Sequence, residues 1–239
     1  MCMKSMNDFE DKIKYLGLKF GFYEPSNENE IIKTDDLIEV IHKIGNLIIS
    51  KNNLFIRGDV GSGKTLIKNR AKSVFENLNT LVLPVQIFGQ KIKFGNICGA
   101  VLLALDENIK LQWKHVDRIS QLSSELEKYQ NKPILILVDN CDKYNKIVLQ
   151  EMIKFQKGKN FSIVFFGRLI ELPNVETYAL KGLSIIERKL FLNILHKKTK
   201  HILPKSIPDN YFYKTTSYFD IIYEFVDFTY KIKSGAIEY

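Results

Sequence analysis

Eight consecutive residues constrain this chain more than any other part of it. Gly58-Asp59-Val60-Gly61-Ser62-Gly63-Lys64-Thr65 fit the pattern G-x-x-x-x-G-K-[ST] at every fixed position. They follow a short apolar run at 53–57 and precede a segment that repeats Leu66, Ile67, Ala71, Val74, Phe75 and Leu78 at helical spacing. The order is strand, glycine loop, helix. Glycine's tolerance of left-handed backbone angles lets successive N–H groups turn toward one anion. The helix that starts at the loop points its positive end the same way. Lys64 supplies a cation for β- and γ-phosphate oxygens, and the Thr65 hydroxyl a ligand for Mg²⁺. The motif therefore predicts a nucleotide-phosphate site made by Gly58 through Leu66. A dinucleotide-binding loop is excluded, because Leu66 stands where a third glycine is needed.

The rest of the chain fits a fold that carries such a loop. Leu37, Val40, Ile41, Ile44, Leu47 and Ile48 predict a helix behind a Thr34 or Asp35 cap. Apolar segments at 80–88, 134–138 and 161–166, with a short one at 177–180, read as strands, and helical patterns at 95–106, 115–130 and 145–157 separate them. Strands that are apolar throughout and alternate with helices mean a parallel sheet covered on both faces. After Gly182 only helical patterns remain, at 184–197, 208–216 and 218–232. The expected fold is α/β: a three-layer αβα P-loop NTPase core over 31–181, preceded by a polar lead-in segment over 1–30 and followed by a small all-helical lid over 182–239.

The second half of the site is the apolar run that ends in Asp139. P-loop proteins hold Mg²⁺ through a water at a strand-terminal carboxylate of this kind. Hydrolysing enzymes of this layout place a glutamate next, to orient and deprotonate a water. Here that residue is Asn140, whose amide can hold a water but cannot take its proton. Asp142 follows as the nearest alternative base. Slow hydrolysis, or a base supplied from elsewhere, is the expectation.

Composition narrows the setting. No apolar run in the 239 residues approaches the ~18 needed to span a bilayer, so no membrane partner is expected. Cys2, Cys98 and Cys141 are scattered and odd in number, which suits a reducing cytoplasm and neither a disulfide framework nor a zinc site. The net charge is +8, and apart from Arg57, Arg70, Arg118, Arg168 and Arg188 the basic residues are lysines. Diffuse lysines on solvated faces explain that charge as well as attraction to nucleic acid does.

Taken together these residues resemble the ExeA/TniB/TnsC branch of the AAA+ ATPases, near the archaeal origin-recognition ATPases. The likeness is carried by Tyr15-Leu16-Gly17-Leu18-Lys19-Phe20-Gly21-Phe22-Tyr23-Glu24-Pro25, by the glycine loop and by Leu137-Val138-Asp139-Asn140-Cys141-Asp142. It extends through Phe165-Phe166-Gly167-Arg168-Leu169-Ile170-Glu171-Leu172 and through Tyr178-Ala179-Leu180-Lys181-Gly182-Leu183-Ser184 leading to Glu187. The resemblance implies binding of ATP and ADP with Mg²⁺, and a role as a nucleotide-dependent switch in replication initiation or transposition. It implies DNA, a protein partner or self-association. Three departures weigh against a ring motor. Asn140 replaces the family's glutamate, only 172–177 separates the fourth strand from the fifth, and Ser217-Tyr218-Phe219-Asp220 stands where the family places a lid arginine. These departures also keep open a regulatory switch that acts on a protein.

Among the remaining candidates, Arg168 is the arginine expected at the γ-phosphate edge, as a sensor or as a solvent-facing strand end. Lys64, Asn140 and Arg168 are thus the candidate catalytic residues, and Thr65 and Asp139 the candidate metal ligands. Arg57 fits a charged strand end. His42, His115, His196 and His201 lack metal-ligand spacing, and Cys141 fits a small buried residue. The tail aromatics have the helical spacing of lid core, with stacking on nucleic acid as the alternative.

Overall fold

The computed structural model describes residues 3–19, 32–87, 92–168, 171–199 and 217–236. Its centre is a five-stranded parallel sheet of β1 (Asn53–Arg57), β2 (Leu81–Val85), β3 (Ile134–Val138), β4 (Phe161–Gly167) and β5 (Glu176–Ala179), in the order β2-β3-β4-β1-β5. Strands β3 and β4 are buried at every position, as double coverage requires. The edges differ. Pro84 of β2 is exposed where its missing N–H costs least, and β5 buries only Tyr178. Helix α2 (Asp35–Ser50) leads into β1, and α3 (Lys64–Asn77), α4 (Phe94–Leu105), α5 (His115–Glu127) and α6 (Lys146–Gln156) connect the strands up to β4. Phe55 of β1 and Phe165 of β4 are register partners, both fully buried. They share a core with Leu102, Ile136, Leu149 and Met152. This is the three-layer P-loop NTPase architecture expected from the sequence.

The chain forms two compact units. The larger comprises Asp36–Asp59 and Gly63–Leu180; the smaller takes the residues up to Asp35, Val60–Ser62, and those from Lys181 on. The smaller unit contains α1 (Met3–Tyr15), α7 (Ile185–Lys198) and α8 (Tyr218–Lys233). The expected helix at 208–216 lies outside the described residues, as do Tyr211, Phe212, Tyr213, His201 and the 20–25 part of the lead-in. Ser184 caps α7 in a reciprocal box with Glu187, whose second oxygen also accepts the N–H of Asp35 at 2.8 Å.

The lead-in segment differs from its sequence reading. Residues 3–15 are helical, and Phe9, Ile13 and Leu16 make a stripe at four- and three-residue steps. That stripe packs with Leu195, Ile221, Phe225 and Val226 in one apolar cluster. Phe9 stacks on Tyr223 at 5.5 Å between centroids, Tyr15 meets Tyr230 edge-on at 5.0 Å, and Lys12 bridges Asp8 and Asp227. The described tail aromatics are therefore largely core. Among the described residues no helix is long and apolar enough to cross a membrane.

Candidate nucleotide site

The loop is built as its composition predicts. Gly61 has φ 77° and Gly63 φ 90°, left-handed angles that a residue with a Cβ enters only at a cost. Gly58 N–H donates to the carbonyl of Gly167 at 3.0 Å, tying the loop's start to the end of β4. Gly63 is the N-cap of α3 and has no side chain to cap it, so the first-turn N–H groups of that helix suit an incoming anion. The Lys64 ammonium lies back over the loop, donating to the carbonyls of Gly58 at 2.5 Å and Asp59 at 2.6 Å. Thr65 is exposed beside it, Leu66 is half-buried, and Ile67 anchors the helix in the core. Asp59 and Val60 are exposed, and Ser62 is half-buried.

The end of β3 is organised by side chains. Asp139 is buried, and its N–H donates to the carbonyl of Val85 at 3.0 Å. One carboxylate oxygen accepts the N–H of Asn140 at 2.8 Å; the other takes the ammonium of Lys68 at 2.5 Å. Asn140 has φ 54°, the left-handed region that asparagine tolerates better than most residues. It opens a 3-10 turn over Cys141–Lys143. Cys141 is buried, its thiol donates to the carbonyl of Val138, and burial pushes its pKa well above the usual thiol range. It is a packing residue, as its sequence context suggested.

Asp142 points across to β4, where one of its oxygens accepts the N–H of Arg168 at 2.6 Å. Gly167 beside it is tightly enclosed: a Cβ there would come within 3.1 Å of both Asp142 and the Phe55 ring, so those neighbours would have to give by a few tenths of an ångström. Burial holds the Lys64 ammonium below the usual lysine range. Arg168 pushes the same way, while Asp142, Asp59 and Asp139 push back. The structure thus groups Lys64, Asp139, Asp142 and Arg168 electrostatically at the carboxyl ends of β1, β3 and β4. Arg57 is exposed at the end of β1, with its carbonyl paired to Leu180 N–H.

The residues present fit a nucleotide phosphate chain and Mg²⁺. Uncapped helix N–H groups and one ammonium suit phosphate oxygens. Thr65 and Asp139 offer the sparse hydroxyl and carboxylate set that Mg²⁺ accepts when phosphates and waters complete its shell. Among the described residues no group of three or more His, Cys, Asp or Glu could hold a metal by itself. Sequence reasoning missed Lys68, though its spacing was a signal: one turn beyond Lys64 and three residues from Thr65, it shares their face of α3. It also missed the commitment of Asp142 to the β4 backbone, which no local pattern encodes. Within the smaller unit, Gly61 accepts the N–H of Tyr218 at 3.0 Å, and a Cβ on Gly61 would fall on Phe219 and Ser217. Ser217, Tyr218 and Phe219 thus abut the loop's tip at Gly61.

The family model described as an AAA domain matches residues 48–175. No curated protein sequence matches the chain. Three similar solved structures are archaeal. Cdc6p from Pyrobaculum aerophilum has a TM-score of 0.57 at 12% identity, covering 77% of this chain and 54% of that one. ORC1 of Aeropyrum pernix, solved in complex with DNA, has 0.56 at 13%, covering 78% and 56%. ORC2 of the same organism, solved as ADPNP-ADP complexes, has 0.56 at 11%, covering 74% and 55%. The chain spans about half the length of these proteins, and the likeness is one of fold.

Proposed function

The chain belongs to the AAA domain family, and from that membership we propose that it is an ATP- and ADP-binding switch with slow or partner-stimulated hydrolysis. Gly58 through Leu66 orient the phosphates through backbone N–H groups, and Lys64 holds terminal phosphate oxygens. Thr65 and Asp139 would hold Mg²⁺, which when bound neutralises phosphate charge. The observation that carries the switch reading is Asn140. It follows Asp139 in a left-handed turn, with its N–H pinned to the carboxylate. Its amide can orient a water but accepts no proton, and Asp142, the next carboxylate after it in sequence, already accepts the Arg168 N–H. Arg168 we assign to sensing the terminal phosphate, since its charge already acts on Lys64.

The partner we propose is DNA, in replication initiation or transposition. The net charge of +8 supports this, as does the fold shared with ORC1, which was solved on DNA. A second reading, a regulatory switch that acts on a protein, is favoured by Ser217 to Phe219 standing at Gly61 where the family's lid arginine is expected. Duplex-DNA binding measured by anisotropy across a salt series, with ATP, with ADP and without nucleotide, separates the two. Salt-dependent binding that changes with the nucleotide supports the first. Binding absent at low salt in all three states overturns it and leaves the second. Calorimetry showing no affinity for either nucleotide would overturn both.

A further inference from the structure

Asp139 has both carboxylate oxygens occupied by this chain's own groups. Oδ1 accepts Asn140 N–H, and Oδ2 takes the Lys68 ammonium at 2.5 Å, with the two side chains only 8% and 13% exposed. An ordinary surface lysine keeps its ammonium in water and lays only its stem on the protein. Lys68 instead brings its charge down onto the strand-end carboxylate, from the same helix that carries Lys64 and Thr65. The pair is shielded enough that salt screens it weakly. A Mg²⁺ ion requires its oxygen ligands at about 2.1 Å in near-octahedral order and gives up its waters reluctantly. A buried ammonium paired with the carboxylate already neutralises the charge that would draw the ion, whether Mg²⁺ meets Asp139 directly or through a water.

We propose that Lys68 is a built-in cation that competes with Mg²⁺ for Asp139, so that nucleotide binding to this chain needs little divalent metal. This rests on the loop being a nucleotide site, as proposed above. With Lys68 in place, Asp139 is neutralised and does not repel bound phosphates, so a diphosphate binds nearly as well without Mg²⁺ as with it. Mg²⁺ would have to compete with the Lys68 ammonium for the charge of Asp139, with Thr65 and the phosphate chain as its other ligands. Removing the ammonium leaves Asp139 as an unpaired negative charge beside the phosphates. The metal then becomes necessary.

Calorimetric titration of ADP into the full chain, in EDTA and in MgCl2, tests this. The wild type should show affinities within about threefold of each other in the two buffers. Lys68→Met should widen the ratio to about tenfold or more, by losing affinity in EDTA. The double variant Lys68→Met with Asp139→Asn removes both charges, so it should recover affinity in EDTA and lose the metal effect. It also covers the case in which Lys68→Met alone folds poorly. A wild type that already depends tenfold on Mg²⁺, or a ratio that Lys68→Met leaves unchanged, overturns the competing-cation assignment while the nucleotide site stands. No ADP binding by the wild type in either buffer overturns the site and the inference with it.

Discussion

The carboxyl ends of β1 and β3 solve related problems by different means. At β1 the proposed anion site is made from backbone: two glycines at positive φ, an uncapped helix N-terminus, and one lysine held over the loop's carbonyls. At β3 the proposed cation and water site is made from side chains, each tied to a partner distant in sequence: Asp139 to Lys68, and Asp142 to the N–H of Arg168. A backbone site is specified by the residues that form it. A side-chain site is specified by what the fold brings to it. The first end is therefore easily recognised from sequence, and the second is legible only in the fold.

Lys64→Ala tests the first end with the largest expected effect. The substitution removes the one side-chain cation of the loop together with its hydrogen bonds to the carbonyls of Gly58 and Asp59. ATP affinity should fall about 100-fold or more, equivalent to roughly 3 kcal/mol of charge-assisted hydrogen bonding. Thermal stability should stay close to the wild type. Calorimetry that finds unchanged affinity would break the comparison at its root, because the loop would then not be a phosphate site.

The second end is tested at Asn140. Asn140→Glu introduces a general base, a change worth up to about 10²-fold in single-turnover ATP hydrolysis. The gain is limited by the backbone: at φ 54° a glutamate pays about 1–2 kcal/mol that asparagine largely avoids. Asn140→Gly separates the two effects, since it relaxes the turn but supplies no base and should stay slow. Robust wild-type turnover retained in Asn140→Gly would move the base elsewhere.

The same contrast explains what the sequence disclosed. The glycine loop, the strands and most helices were legible because each is set by local residue types: the G-x-x-x-x-G-K-T spacing, the unbroken apolar runs at 134–138 and 161–166, and helical periodicity. Asp139 was legible as the end of such a run. Lys68 was not, because a lysine on an amphipathic helix looks like any solvated lysine until the fold sets Asp139 under it. The left-handed turn at Asn140 was equally hidden, though it gives a structural reason for an asparagine there. Helix α1 was missed for a different cause: Phe9, Ile13 and Leu16 are a thin stripe among charged residues, and only their burial with α8 makes it meaningful.

The pH response sharpens the contrast through Lys64, which belongs to the loop but takes its electrostatics from the β3 and β4 ends. Burial, with Arg168 acting in the same sense, lowers its pKa from the ordinary 10.5. Between that lowered value and 10.5 the unfolded chain binds more protons at this residue than the folded one, so its contribution to stability rises with pH. Phosphate binding uses the protonated ammonium. ADP affinity should therefore begin to fall on the alkaline side before an ordinary lysine would lose its proton. A profile flat up to pH 10 would mean that the neighbours leave Lys64 unperturbed.

Arg168→Ala carries the smallest expected effect and discriminates most finely. Its backbone N–H still donates to Asp142 in the alanine variant, so the end of β4 keeps its geometry and only the guanidinium is lost. Arg168 is exposed, and a surface charge with no role would be nearly silent on removal. A sensor of the terminal phosphate behaves differently. ADP affinity should hold while ATP affinity drops by several-fold, the size expected from one partly screened charge pair. The guanidinium is also a like charge that lowers the Lys64 pKa, so its loss should shift the alkaline fall in ADP affinity to higher pH. The two readouts are independent. A pH shift without loss of ATP preference would place Arg168 near Lys64 but outside nucleotide discrimination. An equal change for both nucleotides, or none for either, would remove it from the switch and leave the distinction between ATP and ADP to be made at the β3 end.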